Sequence, residues 1–386
     1  MRDIVYSSAF TDIEDERESR STSEPDSLSI VKILAFLALN VLLTQLASRS
    51  QTFSTIYALV TFLIAFAWLA SDKTPIRVIY ATAYITGAEL IWRGTYAAIF
   101  SESGKYAVVL FLGLALLRYR LFARANKVFI FYFLLLLPSL LVMPYFDREQ
   151  ISFNLSGPLA LAVASVFFST QTIDRERMKR ILLAILAPTV GLGTLAALDI
   201  ITATDLVISG ESNYATSGWI GPNQMAAAMA LGAMVAIYYA LVEQRSRVIR
   251  LGMVSMAVWL FVQSMFTFSR GGVYNTSLAL LLASFFLLRD RRSRWTLLAV
   301  GTASILLGYF LIFPWFDNLS GGALAERFQS TDSTGRYEIA QADWYVFKTH
   351  PVLGVGPGQS NAYHALFYRR ASAHTEYTRL LAEHGS

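Results

Sequence analysis

The sequence predicts an all-α, polytopic membrane helix bundle that ends in a polar helical segment. Three observations predict it. Charged residues make up 15% of the 386 positions, where a soluble domain carries about 25%. Apolar runs recur from residue 28 to residue 314, and a helix needs roughly 20 apolar residues to cross the hydrocarbon. Basic residues cluster in alternate loops between those runs, as the positive-inside rule requires. The chain contains no cysteine, which excludes disulfides, thiol catalysis and cysteine-ligated metals.

Residues 1–27 are polar and acid-rich (Asp12, Glu14, Asp15, Glu16, Glu18, Glu24 and Asp26, interrupted by Arg17 and Arg20). A secretory signal has a basic start and a short apolar core instead, so this stretch is expected to be a disordered cytoplasmic tail. Eleven spans follow, near 28–47, 52–70, 76–93, 105–118, 128–145, 156–171, 181–198, 221–242, 251–267, 272–288 and 295–314. Ser156-Gly157-Pro158 is expected to open the sixth, and Gly221-Pro222-Asn223-Gln224 the eighth, because proline suits the first turn. Ser269-Arg270-Gly271-Gly272 makes a tight turn between the ninth and tenth.

Loop charge sets the expected orientation. Arg118, Arg120, Arg124 and Lys127 follow the fourth span, and Arg175, Arg177, Lys179 and Arg180 the sixth. Arg245, Arg247 and Arg250 follow the eighth, and Arg289, Arg291, Arg292 and Arg294 the tenth. The stretch 199–220 on the other side has no Lys or Arg. The basic side is therefore expected to be cytoplasmic. This divides the chain into the tail 1–27, the bundle 28–314 and an outer-face domain 315–386.

A few ionisable residues interrupt the apolar pattern at the outer ends. A charge at membrane depth costs several kcal/mol unless it is paired or wet, so each is a functional candidate. Glu89 and Arg93 stand one turn apart and can form a structural ion pair. Lys105 can snorkel to the interface. Arg270 has no carboxylate within seven residues in the sequence, and a guanidinium fork suits bidentate contact with phosphate. Asn223 can donate to a ligand from the start of the eighth helix.

The outer segment holds all four histidines of the chain. From Arg336, the residues Tyr337, Ala340, Trp344 and Phe347 recur at helical spacing, and the helix should stop before Pro351. Gly354-Val355-Gly356-Pro357-Gly358 lacks the GxGxxG spacing and contains proline, so it reads as a rigid turn rather than a phosphate loop. A last helix is expected to start near His374 and stop at Gly385. A helix N-terminus disfavours imidazolium, which suits His374 to act as a general base. His350, His364 and His384 read as surface or capping residues, and the spacing of the four does not fit an HExxH metal site.

Four features taken in order resemble the O-antigen ligase and polymerase-like integral membrane glycosyltransferases. They are the many-helix bundle with a large outer loop, Ser269-Arg270-Gly271-Gly272, the run Gly335-Arg336…Trp344…Pro351…Gly354-Val355-Gly356-Pro357-Gly358, and His374 followed by Gly385. Thr375 after the histidine departs from the Asn, Ser or Gln common in that family. The chain also ends at Ser386, where the family continues into a further helix. The resemblance implies cofactor- and metal-independent, inverting transfer of a glycan from an undecaprenyl-pyrophosphate donor. The acceptor would be a lipid A–core sugar or a growing polysaccharide, at the periplasmic face of a bacterial inner membrane. It implies His374 as the catalytic base and Arg270 and Arg336 as the diphosphate-binding pair, with Arg93, Lys105 and Asn223 as additional candidates. Its expected partners are the lipid-linked donor, the acceptor glycan and membrane lipids, with no nucleic acid. A polyprenyl-glycan flippase is the competing expectation, and it would call for inverted repeats and polar midplane sites.

Overall fold

A computed structural model describes residues 28–100, 102–202, 215–218, 220–272, 274–275, 277, 310, 313–319, 321–322, 325, 329, 335–367 and 375–386. The helices of the bundle are α1 (Ile30–Arg49), α2 (Gln51–Ser71), α3 (Ile76–Gly94), α4 (Ser103–Arg118), α5 (Val128–Leu136), α6 (Arg148–Phe168), α7 (Arg175–Thr202), α8 (Pro222–Val242) and α9 (Arg247–Phe266). After them come α10 (Phe313–Leu319), α11 (Arg336–Thr349), α12 (Ser360–His364) and α13 (Glu376–His384). Six of these helices, α1, α2, α6, α7, α8 and α9, are long and apolar enough to cross a membrane. The protein is an all-α polytopic membrane protein. The expected spans 272–288 and 295–314 lie almost wholly outside the described residues.

Several boundaries differ from expectation: α7, expected over 181–198, runs from Arg175 to Thr202, and two other differences have a local cause. α6 starts at Arg148, where the Asp147 carboxylate accepts from the N–H groups of Glu149 and Gln150, so Ser156-Gly157-Pro158 lies inside the helix rather than at its start. The Asp147 cap satisfies free N–H groups, and Pro158 removes one hydrogen bond without ending the helix. α5 is followed by a 3-10 turn, Leu137–Val142, because Pro138 has no N–H with which to continue the α-helical ladder.

α7 is the central helix and packs on α1, α3 and α8. Small residues allow the close crossings. A Cβ on Gly191 would lie 2.2 Å from Thr44 Oγ1, and one on Gly87 would lie 2.5 Å from the Ile185 carbonyl oxygen. Between helices in lipid there is little hydrophobic gain, so such backbone approach supplies the packing energy. At mid-depth Tyr84 donates to Asn40 Oδ1 at 2.7 Å and meets the Tyr57 hydroxyl at 2.6 Å. These three groups satisfy one another.

Hydrogen bonds between helix ends define two faces. On the basic face Lys179 Nζ pairs with Glu176 at 2.8 Å and Glu243 at 3.0 Å, Arg175 bonds Gln244, and Arg118 donates to the Ala70 carbonyl at 2.7 Å. On the opposite face Gln51 donates to the Tyr96 carbonyl at 2.7 Å and Thr55 accepts from the Ala98 N–H at 2.8 Å. There the Tyr106 and Ser152 hydroxyls meet at 2.7 Å.

The unit formed by α11, α12 and α13 docks on that opposite face, against the end of the α5–α6 hairpin. Arg379 donates to Asn154 Oδ1 at 2.8 Å, and His384 Nδ1 lies 2.7 Å from Ser139 Oγ and 3.0 Å from the Leu136 carbonyl.

Candidate functional site

The turn after α9 is clamped to the start of α8. Phe268 is fully buried with φ 55°, a left-handed position where glycine is usual. Ser269 Oγ donates to Asn223 Oδ1 at 2.7 Å, and Ser264 Oγ donates to the Ala226 carbonyl at 3.1 Å. A Cβ on Gly272 would lie 2.5 Å from Ser264 Oγ and 2.7 Å from the Ala226 Cβ, so only hydrogen fits there. Arg270 begins the next helical stretch from this turn and is 9% exposed. Asn223 is thus part of the clamp as an acceptor, a role that its reading as a ligand donor did not include.

Arg336 opens α11 beside Gly335, which has φ 79°; a side chain at that left-handed position would be strained. Arg336 is half-buried, and its Nε is buried without an acceptor among the described residues. Ile339, Ala342, Asp343 and Val346 form the buried face of α11, while Tyr337, Trp344 and Tyr345 are exposed.

His374 lies outside the described residues. The next residue, Thr375, is the N-cap of α13, so the histidine precedes the cap rather than opening the helix. Its three counterparts are described. His350 is exposed, with Nδ1 3.0 Å from Thr349 Oγ1. His364 is fully buried and donates from Nε2 to Asp343 Oδ1 at 2.7 Å. His384 is buried against the α5 end, which corrects its surface reading. Burial pushes its imidazole down to about 4, against the pull of the Leu136 carbonyl.

Sequence reasoning missed the polar network that sets this unit. Thr378 donates to Asp343 Oδ2 at 2.8 Å and also meets Thr375. Arg379 binds Glu376 from Nε at 3.1 Å and Glu383 from Nη1 at 2.9 Å. Glu383 is buried and also accepts from Ser360 at 3.0 Å. Burial pushes its carboxyl up from the ordinary range, while Arg379, the Gly358 N–H and Ser360 pull it down. The 3- and 4-residue spacings of Glu376, Arg379 and Glu383 are a helical signal. The tie to Asn154, in a distant helix, has no local signal. The Gly-rich turn is structural, as expected. Its N–H groups at Val355 and Gly356 donate to the carbonyls of Ala382 and Glu383 at 3.0 and 2.9 Å. A Cβ on Gly354 would lie 2.3 Å from the Glu383 carbonyl carbon.

The remaining candidates separate. Lys105 pairs with Glu102, which also accepts from Ser156 at 3.4 Å, and it stands over the Phe153 ring. Lys105 is therefore in an ion pair rather than snorkelling. Arg93 makes no ion pair with Glu89, although the two stand one turn apart on α3. Glu89 packs instead on Gly104, and its Oε1 has no hydrogen-bond partner among the described residues. Among the described residues no group of three or more His, Asp or Glu side chains is placed to hold a metal ion.

The parts on one face are thus an arginine on a clamped turn, an arginine at a helix start, and a docked polar unit whose last helix is capped next to His374. Arginines so placed can bind a doubly charged phosphate group, and a neutral imidazole can take a hydroxyl proton. No curated protein and no solved structure matches the chain. A family model described as O-antigen ligase matches residues 256–386, the stretch from within α9 to the last residue, so the C-terminal third of this membrane protein is O-antigen ligase-like.

Proposed function

We propose that the protein transfers a glycan from an undecaprenyl-pyrophosphate donor to an acceptor sugar at the outer face of a bacterial inner membrane. The clamped Arg270 turn carries this reading, together with its place on the face where the α11–α13 unit docks. The basic face would be cytoplasmic, and on this reading Arg270, Arg336 and His374 would serve the periplasmic side.

In the proposed step the acceptor hydroxyl oxygen attacks the anomeric carbon of the donor sugar. His374 takes the hydroxyl proton, and the bond to the pyrophosphate oxygen breaks with inversion. Undecaprenyl pyrophosphate leaves with both electrons of that bond. Charge grows on the leaving diphosphate, where fixed guanidinium groups stabilise it without reorganisation. The two large reactants gain further from being held in line. Arg270 is held by a strained, hydrogen-bonded turn, which suits fixed rather than adaptive binding.

Surface glycans of a strain lacking this gene test the proposal. Loss of polymer attachment to lipid A–core supports ligation, and attachment of single repeat units only supports the polymerase variant. Donor retained on the inner leaflet, with transfer machinery intact, would instead indicate a flippase and overturn the proposal.

A further inference from the structure

A cleft of about 400 Å³ opens between the start of α2, the end of α3 and the start of α4. It is lined by Gln51, Trp92, Arg93, Tyr96, Ala97, Ile99, Phe100 and Ser103. The cleft lies outside the stretch that resembles O-antigen ligase.

Two groups here lack the partners their chemistry calls for. Arg93 is half-buried and forms no ion pair or hydrogen bond among the described residues; Glu89, one turn earlier, feels its charge without binding it and packs on Gly104, while Glu102 pairs with Lys105. A cation at this depth without a directly bound partner is costly. Trp92 is fully buried, and its Nε1–H has no acceptor among the described residues. A buried donor left without an acceptor is costly.

The walls of the cleft are fixed in place. Gln51 holds the Tyr96 carbonyl, Thr55 holds the Ala98 N–H, and the Ser54 and Thr95 hydroxyls meet at 2.5 Å. Tyr96 has φ 55°, and the N–H of Ala97 bonds back to the Trp92 carbonyl at 2.9 Å. The cleft is therefore formed before any ligand arrives, which lowers the ordering cost of binding. The N-terminal end of α4 adds a positive dipole at Ser103. A guanidinium and a helix start both favour an anion, while Tyr96, Ile99 and Phe100 favour an adjoining apolar group. The end of α3 also touches the start of α8, since a Cβ on Gly94 would meet the Ile220 side chain at 2.4 Å. Ile220 stands three residues before Asn223 of the Arg270 clamp.

We infer that this cleft is a binding site for the phosphate head of a lipid, with Arg93 as its principal ligand. Phospholipids of the bilayer and polyprenyl phosphates share that chemistry. The site is separate from Arg270 and Arg336, and it stands whether or not the glycan-transfer reading holds.

The test is native mass spectrometry of the full chain released from nanodiscs of phosphatidylglycerol and phosphatidylcholine, with farnesyl pyrophosphate added in a second arm. Arg93→Gln should lower retention of the phosphate probe by about tenfold, the effect of losing one charge-assisted contact. Arg93→Lys should lower it less. Ala97→Trp fills the cleft without changing charge and should also lower retention, which keeps the test valid if Arg93→Gln folds poorly. Arg49→Gln, an exposed charge at the end of α1, should have no effect. Arg93-dependent retention of phosphatidylglycerol assigns the site to bilayer lipid, and of farnesyl pyrophosphate alone to a polyprenyl phosphate. Equal retention by wild type, Arg93→Gln and Ala97→Trp for both probes would overturn the inference.

Discussion

The two faces of the bundle use their cations in opposite ways. On the basic face Lys179 is 2% exposed and binds two carboxylates, while Arg177 pairs with Asp174 and Arg77 with Asp72. On the other face, among the described residues, Arg93 has no ion pair and Arg336 keeps an orphaned Nε. Breaking a buried ion pair such as those of Lys179 strands a desolvated charge, so these pairs act as structural fasteners. Arg93, at the end of a bundle helix, is kept against a cost that points to a ligand, while the orphaned Nε of Arg336 is a donor open to one. Two cations of this face are paired all the same: Lys105 binds Glu102, and Arg379 binds Glu376, Glu383 and Asn154. The contacts of Arg379 dock the α11–α13 unit on α6.

This contrast can be broken by measurement. Lys179→Met should have the largest effect on stability, about 3–5 kcal/mol, since it strands the carboxylates of Glu176 and Glu243 in a buried site. A thermal-unfolding midpoint unchanged by that substitution would remove the fastener reading. Arg379→Met should behave the same way despite its different face, at about 2–4 kcal/mol. Limited proteolysis should then cut the α11–α13 unit first. Acid should weaken the same docking through His384. Its imidazole titrates near 4 when docked and near 6.5 when free. The docked state therefore binds fewer protons, and its stability is complete above about pH 6.5 and is lost as pH falls toward 4, by about 3 kcal/mol. His384→Gln should flatten that pH dependence, which hydrogen exchange of α13 between pH 7 and pH 4 would detect. Arg336→Gln should have the smallest effect on stability, within about 0.5 kcal/mol, because no structural pair among the described residues is lost.

The bundle was legible because lipid permits few backbone solutions, and a run of apolar residues between basic loops nearly dictates a helix. The errors came where local chemistry competes. Ser156-Gly157-Pro158 carries a helix-start pattern, yet the Asp147 cap lies more than two turns earlier and governs the start of α6. Pro158 leaves the Asn154 carbonyl without its helical donor, close to where Arg379 binds the Asn154 side chain. The Arg270 turn was legible as an isolated cation, but its clamp was not, since Asn223 and Ser269 belong to different helices. The same holds for Asp343, which looks like one acid on an amphipathic helix and is in fact buried between His364 and Thr378. Arg93 was legible as a charge at membrane depth, but only the structure separates it from Glu89.

The most direct test of the central claim compares two arginines of the same face in one assay. Full-length protein in liposomes, supplied with a polyprenyl-pyrophosphate-linked glycan and an acceptor saccharide, would be followed for product formation, with unfolding measured on the same samples. Arg336→Gln should lose transfer by about 100-fold or more, as expected for a group that stabilises developing charge, while keeping the wild-type unfolding midpoint. Arg379→Met should lose transfer only as far as it loses stability. Full transfer by folded Arg336→Gln would contradict the claim that the unpaired cations of this face serve the substrate.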